Sequence, residues 1–148
     1  MALLHYPVYD KNGRVVVTSI TNHDIHDIAR VAKTYALGGY YLVTPLLSQQ
    51  ELCRRIIRHW VEGVGSRYNP TRHAAFVTTY LADSLQQVVE QLQQLSGVAP
   101  VVIMTSARAY RRGMWATGAE LRRGQNKASR PATGSVSACV WDRIWSRE

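Results

Sequence analysis

The sequence predicts an α/β fold built on a parallel sheet, because apolar runs suited to strands alternate with amphipathic stretches suited to helices. From residue 3 to residue 104 the order is strand, helix, strand, helix, strand, helix, strand. Residues 40–45 and 101–104 are short apolar runs, and the second is continuous, as in strands buried on both faces of a parallel sheet. With 148 residues, the chain is long enough for one domain with a hydrophobic core.

The chain begins with two strand-like runs joined by a turn. Residues 3–9 and 15–20 are rich in Val, Ile, Tyr and Thr, which suit a pleated, half-buried surface. Between them, residues 10–13 read Asp-Lys-Asn-Gly, and both Asn and Gly tolerate the positive φ of tight turns. This pattern predicts a strand, a turn and a second strand.

The first predicted helix follows at once. Thr21 or Asn22 is placed to cap it. Gly38 can adopt the left-handed conformation that ends it. Its residues at helical spacing form one apolar face: Ile25, Ile28, Ala29, Ala32, Tyr35 and Ala36.

Ser48 is predicted to cap a second helix over residues 49–62, which has an apolar face and a basic face. The basic face has two interpretations, a solvated helix side or a surface that contacts phosphate groups. The apolar residues are Leu52, Cys53, Ile56, Ile57, Trp60 and Val61, and the basic residues are Arg54, Arg55, Arg58 and His59.

Residues 63–72 are predicted to form a loop. Arg67 and Arg72 can bind phosphate, Tyr68 can stack on a base and Asn69 can hydrogen-bond a base edge, as in RNA recognition. An ordinary surface loop explains the same residues equally well.

The third helix is predicted between a strand at residues 76–81 and the last apolar run. Asp83 or Ser84 can cap it, and Gly97 can end it. The residues that would face inward are Leu85, Val88, Val89, Leu92 and Leu95.

Two strand ends are the first places to look for a site. Ligands of parallel α/β sheets bind beyond the carboxyl ends of the strands. Those ends are residues 44–45 and residues 105–108.

Several classes of protein are disfavoured by the motifs that are missing. The sequence has no dinucleotide-binding fingerprint, no P-loop and no nucleophile elbow. Cys53 and Cys139 lack metal or redox spacing, which favours a reducing cytoplasm. His23 and His26 lie three apart at a helix start, but without a second ligand cluster a structural role is favoured over metal binding. No apolar run reaches the roughly 18 residues of a membrane span.

The net charge of +8 suggests a nucleic-acid partner, but the charge is unevenly distributed. Residues 1–107 carry a net charge of +2, and residues 108–148 carry +6. Most of the basic character therefore lies in the C-terminal segment.

Taken together, five motifs within residues 3–108 resemble the small bacterial S-adenosylmethionine-dependent RNA methyltransferases of the SPOUT superfamily, relatives of the catalytic domain of the tRNA guanine methyltransferase. The motifs are LHYPVYDKNGRVVVTSITNHDIHDIARVAKTY, YYLVTP, RRIIRHW, SRYNPTR and VVIMTSAR. The combination is specific, although no single motif is.

The resemblance implies an α/β fold that ends in a trefoil knot, with S-adenosylmethionine bound in the knot. It implies a homodimer with the site at the subunit interface, and an RNA substrate. By the same resemblance, Thr105, Ser106 and Ala107 form one wall of the cofactor pocket. Arg67, Asn69 and Arg72 match a loop motif associated with substrate binding or catalysis.

The C-terminal segment departs from the family pattern, which predicts a domain over residues 1–124 and an aberrant, disordered or loosely helical tail over residues 125–148. Family members have an apolar strand, a glycine loop of the form F-G-T-G-W-G-L and a closing helix here. Moving the reading frame forward by one nucleotide forces glycine at both tryptophans of VWDRIWSR, and compatible codons give F-G-T-G-F-G-L-G. We therefore expect the sheet to lack one strand and the chain to bind cofactor weakly. The alternatives are a non-catalytic RNA-binding or dimerisation module and a degraded gene product.

Overall fold

The computed structural model describes residues 1–10, 12, 14–105 and 137–141. Among the helices in these ranges, none is long and apolar enough to cross a membrane. The strands are β1 (Ala2–Leu4), β2 (Val8–Tyr9), β3 (Val15–Val16), β4 (Tyr40–Val43), β5 (Thr79–Ala82), β6 (Val101–Thr105) and β7 (Ser137–Trp141). The helices are α1 (Asn22–Thr34), α2 (Leu47–Val61), α3 (Val64–Tyr68), α4 (Pro70–Phe76) and α5 (Leu85–Ser96).

Five strands form one sheet in the order β5-β4-β1-β7-β6. β1, β4 and β5 are parallel, with Leu3 opposite Leu42 and Tyr41 opposite Tyr80, so the predicted α/β class with a parallel sheet is confirmed. β7 lies between β1 and β6 and is antiparallel to both, so β6 runs in the direction of β1. The prediction that the C-terminal segment supplies no strand is wrong, because β7 pairs with two strands that otherwise expose unpaired backbone groups.

Side chains of β4 alternate between two hydrophobic cores, one on each face of the sheet. Tyr40 and Leu42 pack in a cluster with residues of α1, α2 and α4. Tyr41 and Val43 pack in a second cluster with residues of β1 and α5. All four are buried, which explains why the run is apolar without alternation.

The start of α1 agrees with the prediction, but its end and the start of α2 do not. Thr21 caps α1 through a reciprocal capping box. The left-handed residue after the helix is Ala36, with a φ of 51°, rather than the predicted Gly38. α2 begins at Leu47, one residue before the predicted cap Ser48.

Residues 63–72, predicted as a loop, contain α3 and the first turn of α4. Asn69 occupies the N-cap and Pro70 the first turn of α4, a combination that favours helix initiation. Phe76, predicted to begin a strand, is the last residue of α4, and β5 starts at Thr79. The chain therefore places a short helical pair where we expected an irregular basic loop.

Candidate functional site

The carboxyl ends of β1, β4, β5 and β6 share one edge of the sheet, because these strands run in the same direction. Backbone pairing continues past the strand ends, since His5 N donates to Val43 O (2.9 Å) and Thr44 N donates to Ala82 O (3.0 Å). Thr105 is the last residue of β6. The two predicted strand ends therefore face the same edge of the sheet.

Gln50, on α2, holds two of these strand ends together. Its side chain is 2% exposed, and its Nε2 donates to Thr44 O (2.9 Å) and to Asp83 Oδ1 (2.7 Å). Its Oε1 accepts from a terminal nitrogen of Arg54 (2.8 Å). A buried amide with three partners of this kind fixes the segments after β4 and β5 relative to α2.

Replacing Gln50 with Leu is expected to lower the free energy of unfolding by about 1–3 kcal/mol, because Thr44 O and Asp83 lose a donor. Urea unfolding measures the change. The matched control is Gln86→Leu on α5, where the exposed side chain donates to Glu90 within its own helix, and a change within about 0.5 kcal/mol is expected. Equal effects of the two substitutions would contradict the role assigned to Gln50.

His5, directly after β1, is a buried polar group of this edge. It is 6% exposed, and its Nδ1 lies 3.0 Å from Thr18 Oγ1. Its Nε2 is buried and has no hydrogen-bond partner among the described residues. Burial lowers the pKa of His5, and the charge of Asp24 opposes that change. The ring is therefore held neutral at physiological pH and offers one unused nitrogen.

The lowered pKa of His5 makes the stability of the fold sensitive to acid. Below the ordinary histidine pKa of 6.5, the unfolded chain binds more protons at this site than the folded chain, so stability decreases as the pH falls. We expect the free energy of unfolding to decrease from about pH 7.5 to about pH 5.5, and less steeply in His5→Asn. His26, whose pKa burial also lowers, contributes with the same sign in both proteins. Identical pH profiles for wild type and His5→Asn would contradict the prediction.

The second predicted group, Arg67, Asn69 and Arg72, lies on α3 and α4. Asn69 Oδ1 accepts from Arg72 N (2.9 Å), so this side chain caps a helix. The guanidinium carbon of Arg72 lies 4.7 Å from the centroid of the Trp60 ring, close enough for a cation–π interaction. Arg67 is exposed. The structure thus gives Asn69 a structural role and holds Arg72 against α2.

Arg72 belongs to a group of aromatic and basic side chains, the Trp60 cluster, made of His26, His59, Trp60, Arg72 and Phe76. The centroid of the His26 ring lies 5.0 Å from the centroid of the Phe76 ring and 5.7 Å from that of the Trp60 ring. The His59 ring lies 4.9 Å from Trp60. The cluster joins α1, α2 and α4, and sequence reasoning did not find it because its members come from three separate helices.

The structure does not bring the two predicted groups together within one chain. Thr105 ends β6, whereas Arg72 lies on α4, which precedes β5. α4 packs through Phe76 in the same core cluster as Tyr40 and Leu42 of β4, and three strand spacings of about 4.8 Å put β4 roughly 14 Å from β6. Ser106 and Ala107 lie outside the described residues.

Metal binding and thiol chemistry find no support in the part of the chain that the structure describes. There, no group of three or more His, Cys, Asp or Glu side chains is placed to hold a metal ion. Burial raises the pKa of Cys53 to about 11, so this thiol is protonated and unreactive at neutral pH.

The chain is similar to known proteins over most of its length. A family model described as SAM-dependent RNA methyltransferase matches residues 1–133. An uncharacterized protein of Aquifex aeolicus is 41% identical over 110 residues, which are 74% of this chain and 54% of that protein. Proteins named tRNA (guanine-N(1)-)-methyltransferase from Oleidesulfovibrio alaskensis and Nitratidesulfovibrio vulgaris are 42% and 44% identical over 107 residues, 72% of this chain. The chain thus spans about half the length of the first relative and a quarter of the other two.

Proposed function

The chain belongs to the SAM-dependent RNA methyltransferase family, and we propose that the activity of its domain is to bind S-adenosylmethionine and transfer the methyl group to RNA, with a cofactor site that is incomplete in this chain. The family match over most of the chain carries this proposal. The names of two relatives supply tRNA as a candidate RNA. A reducing cytoplasm remains the prediction for where the domain works.

We place the cofactor at the carboxyl edge of the sheet, against Thr105, Ser106 and Ala107. Parallel α/β sheets bind ligands at this edge, and β6 ends there with only β7 between it and β1. The Nε2 atom of His5 is buried and has no hydrogen-bond partner among the described residues, as expected of an atom whose partner belongs to a bound cofactor. S-adenosylmethionine supplies a methyl group that its positive sulfur already activates for in-line attack. The contribution of the protein is to align the RNA atom with that methyl group and to accept its proton.

We place the substrate at Arg67, Asn69 and Arg72, contributed by a second copy of the chain. The separation of α4 from the end of β6 supports this arrangement, because an arginine side chain does not cross several strands of a sheet. In the proposed homodimer, the cofactor wall of one protomer faces the α3–α4 pair of its partner. The role of Asn69 is then to position Arg72 through the helix cap.

We also propose that the family fold ends in a SPOUT-type knot. In this chain, the knot is proposed to be incomplete. The family pattern places the knot in residues that follow β6. The proposed domain ends near residue 124, and residues 125–148 are the segment in which a change of frame has replaced the glycine loop. On this account the scaffold and RNA surface are those of a methyltransferase, whereas the cofactor site is incomplete.

Three assays separate the proposed function from its rivals. Transfer of a radiolabelled methyl group to bulk RNA by the chain with the family-like frame restored supports the enzyme. Retention on RNA without transfer, even after restoration, supports a non-catalytic binding module. Protease sensitivity and insolubility of both chains support a degraded gene product.

A further inference from the structure

We propose that Arg72 and His26 together bind a backbone phosphate of RNA beside the Trp60 ring. This inference rests on the proposed function and names the place where the RNA is held. The guanidinium of Arg72 lies over the Trp60 ring, and the His26 ring contacts the same indole edge-on. Stacking on Trp60 limits the orientations that the guanidinium can adopt, which prepares it for a directional contact.

Both side chains bury a nitrogen that lacks a partner. Arg72 Nε and His26 Nδ1 have no hydrogen-bond partner among the described residues. Buried polar atoms in folded proteins are nearly always paired, so two orphans at one aromatic ring indicate a missing acceptor. A phosphate group presents several acceptor oxygens and can pair with both nitrogens when His26 carries its proton on Nδ1. Because both atoms are covered in the free protein, this contact requires the Arg72 and His26 side chains to turn towards the surface when RNA binds.

The charges around His26 favour an anion at this position. Burial is the largest cause that lowers the pKa of His26, and the charge of Arg72 is the second. Arg30 and His23 act in the same direction, and Asp27 opposes them. From α4, His73 faces Trp60 through its Nδ1, which lies 3.0 Å from Trp60 O. An anion between Arg72 and His26 would offset the repulsion between them.

The neighbouring surface indicates that the anion belongs to a polymer. His59 contacts Trp60 and continues into the basic face of α2, where Arg54, Arg55 and Arg58 are exposed. A row of exposed cations beside a single anchored phosphate suits the repeated charges of an RNA backbone better than it suits one small anion. The phosphate-contacting interpretation of the basic face is therefore part of this proposal.

The test compares wild type with Arg72→Gln and His26→Phe, which keeps an aromatic ring against Trp60 and Phe76. Both substitutions are expected to raise the Kd for a short single-stranded RNA about tenfold. Arg72→Gln should also reduce the slope of log Kd against log salt by about one. The charge-matched control is Arg14→Gln, in the hairpin, where the exposed side chain pairs with Asp10 at 3.2 Å. That variant should bind RNA as wild type does.

NMR titration of His26 gives a readout that does not depend on activity. In free protein, Arg72→Gln should raise the pKa of His26, because the repulsion by Arg72 is removed. RNA should raise this pKa in wild type and not in Arg72→Gln. If Arg72→Gln fails to fold, Arg72→Lys keeps the charge without the Nε donor and should show the weaker binding.

Unchanged RNA affinity in folded Arg72→Gln and His26→Phe overturns the inference, while RNA retention by wild type leaves the proposed function standing. An equal rise of the His26 pKa with inorganic phosphate, together with unchanged RNA binding in the variants, assigns the site to free phosphate and rejects the RNA contact. Loss of RNA binding by wild type itself counts against the proposed function.

Discussion

Restoring the family-like frame after residue 124 is expected to raise the affinity of the chain for S-adenosylmethionine about a hundredfold or more. The resemblance assigns the clamping of the cofactor to backbone amides of a glycine loop. Loss of two or three such donors costs about 1–1.5 kcal/mol each, and every 1.4 kcal/mol is tenfold in the dissociation constant. Isothermal titration of both chains with S-adenosylmethionine measures the difference. Methyl transfer to RNA should be found only with the restored chain.

A chain shortened to residues 1–124 is the matched control for this experiment. It lacks the frame-shifted segment and with it β7, which pairs with β1 and β6, so circular dichroism must first show that the shortened chain is folded. The folded shortened chain is expected to bind the cofactor as weakly as the original chain. Micromolar affinity of the original chain would contradict the prediction. Equal, weak affinity of the original and restored chains would show that the shifted frame is not the missing part.

The sequence predicted those parts of the fold whose local signals agree with the packing around them. The run at Tyr40–Val43 is buried on both faces and is apolar at every position. Ser84 caps α5 through its side chain, and Gly97 ends that helix with a φ of 71°. In each case, one or two residues are sufficient to define the boundary of the element.

Boundaries were mispredicted where packing at a distance outweighs local preference. The run after Phe76 is β-branched and suits a strand, but the Phe76 ring is fully buried against α1 and α2, which keeps it at the end of α4. Tyr35 has helical spacing with the core face of α1 and is nevertheless 74% exposed. The direction of β7 had no local signal, because strand pairing depends on which neighbours are open.

The candidate site was also predicted only in part, because contacts between separate helices leave no local signal in the sequence. Arg72 was singled out because its type suits phosphate, and it does lie in a basic region of the structure. Its contact with Trp60 and its proximity to His26 depend on how three helices pack, and sequence spacing contains no trace of this. His5 was quoted only within a motif, because the burial that leaves its Nε2 unpaired is visible only in three dimensions.

Replacing Phe76 with Ala is expected to lower the free energy of unfolding by about 3–5 kcal/mol. The side chain is 0% exposed, and the centroid of its ring lies 5.0 Å from that of the His26 ring and 6.1 Å from that of the Trp60 ring. Its removal leaves a cavity that rigid helices and a sheet cannot close. Since domains are stable by roughly 5–15 kcal/mol, this loss is a large share of the total. Urea unfolding measures it directly.

Two further variants show whether the loss comes from the place of Phe76 in the core. Phe76→Leu keeps most of the volume and should cost less than about 1.5 kcal/mol. Val77→Ala changes the next residue, which is 48% exposed, and should change stability by no more than about 0.5 kcal/mol. A Phe76→Ala variant as stable as Val77→Ala would show that α4 does not pack as described. The Trp60 cluster, and with it the phosphate site, would then lose its structural support, because Phe76 contacts both the His26 and Trp60 rings on which that site depends.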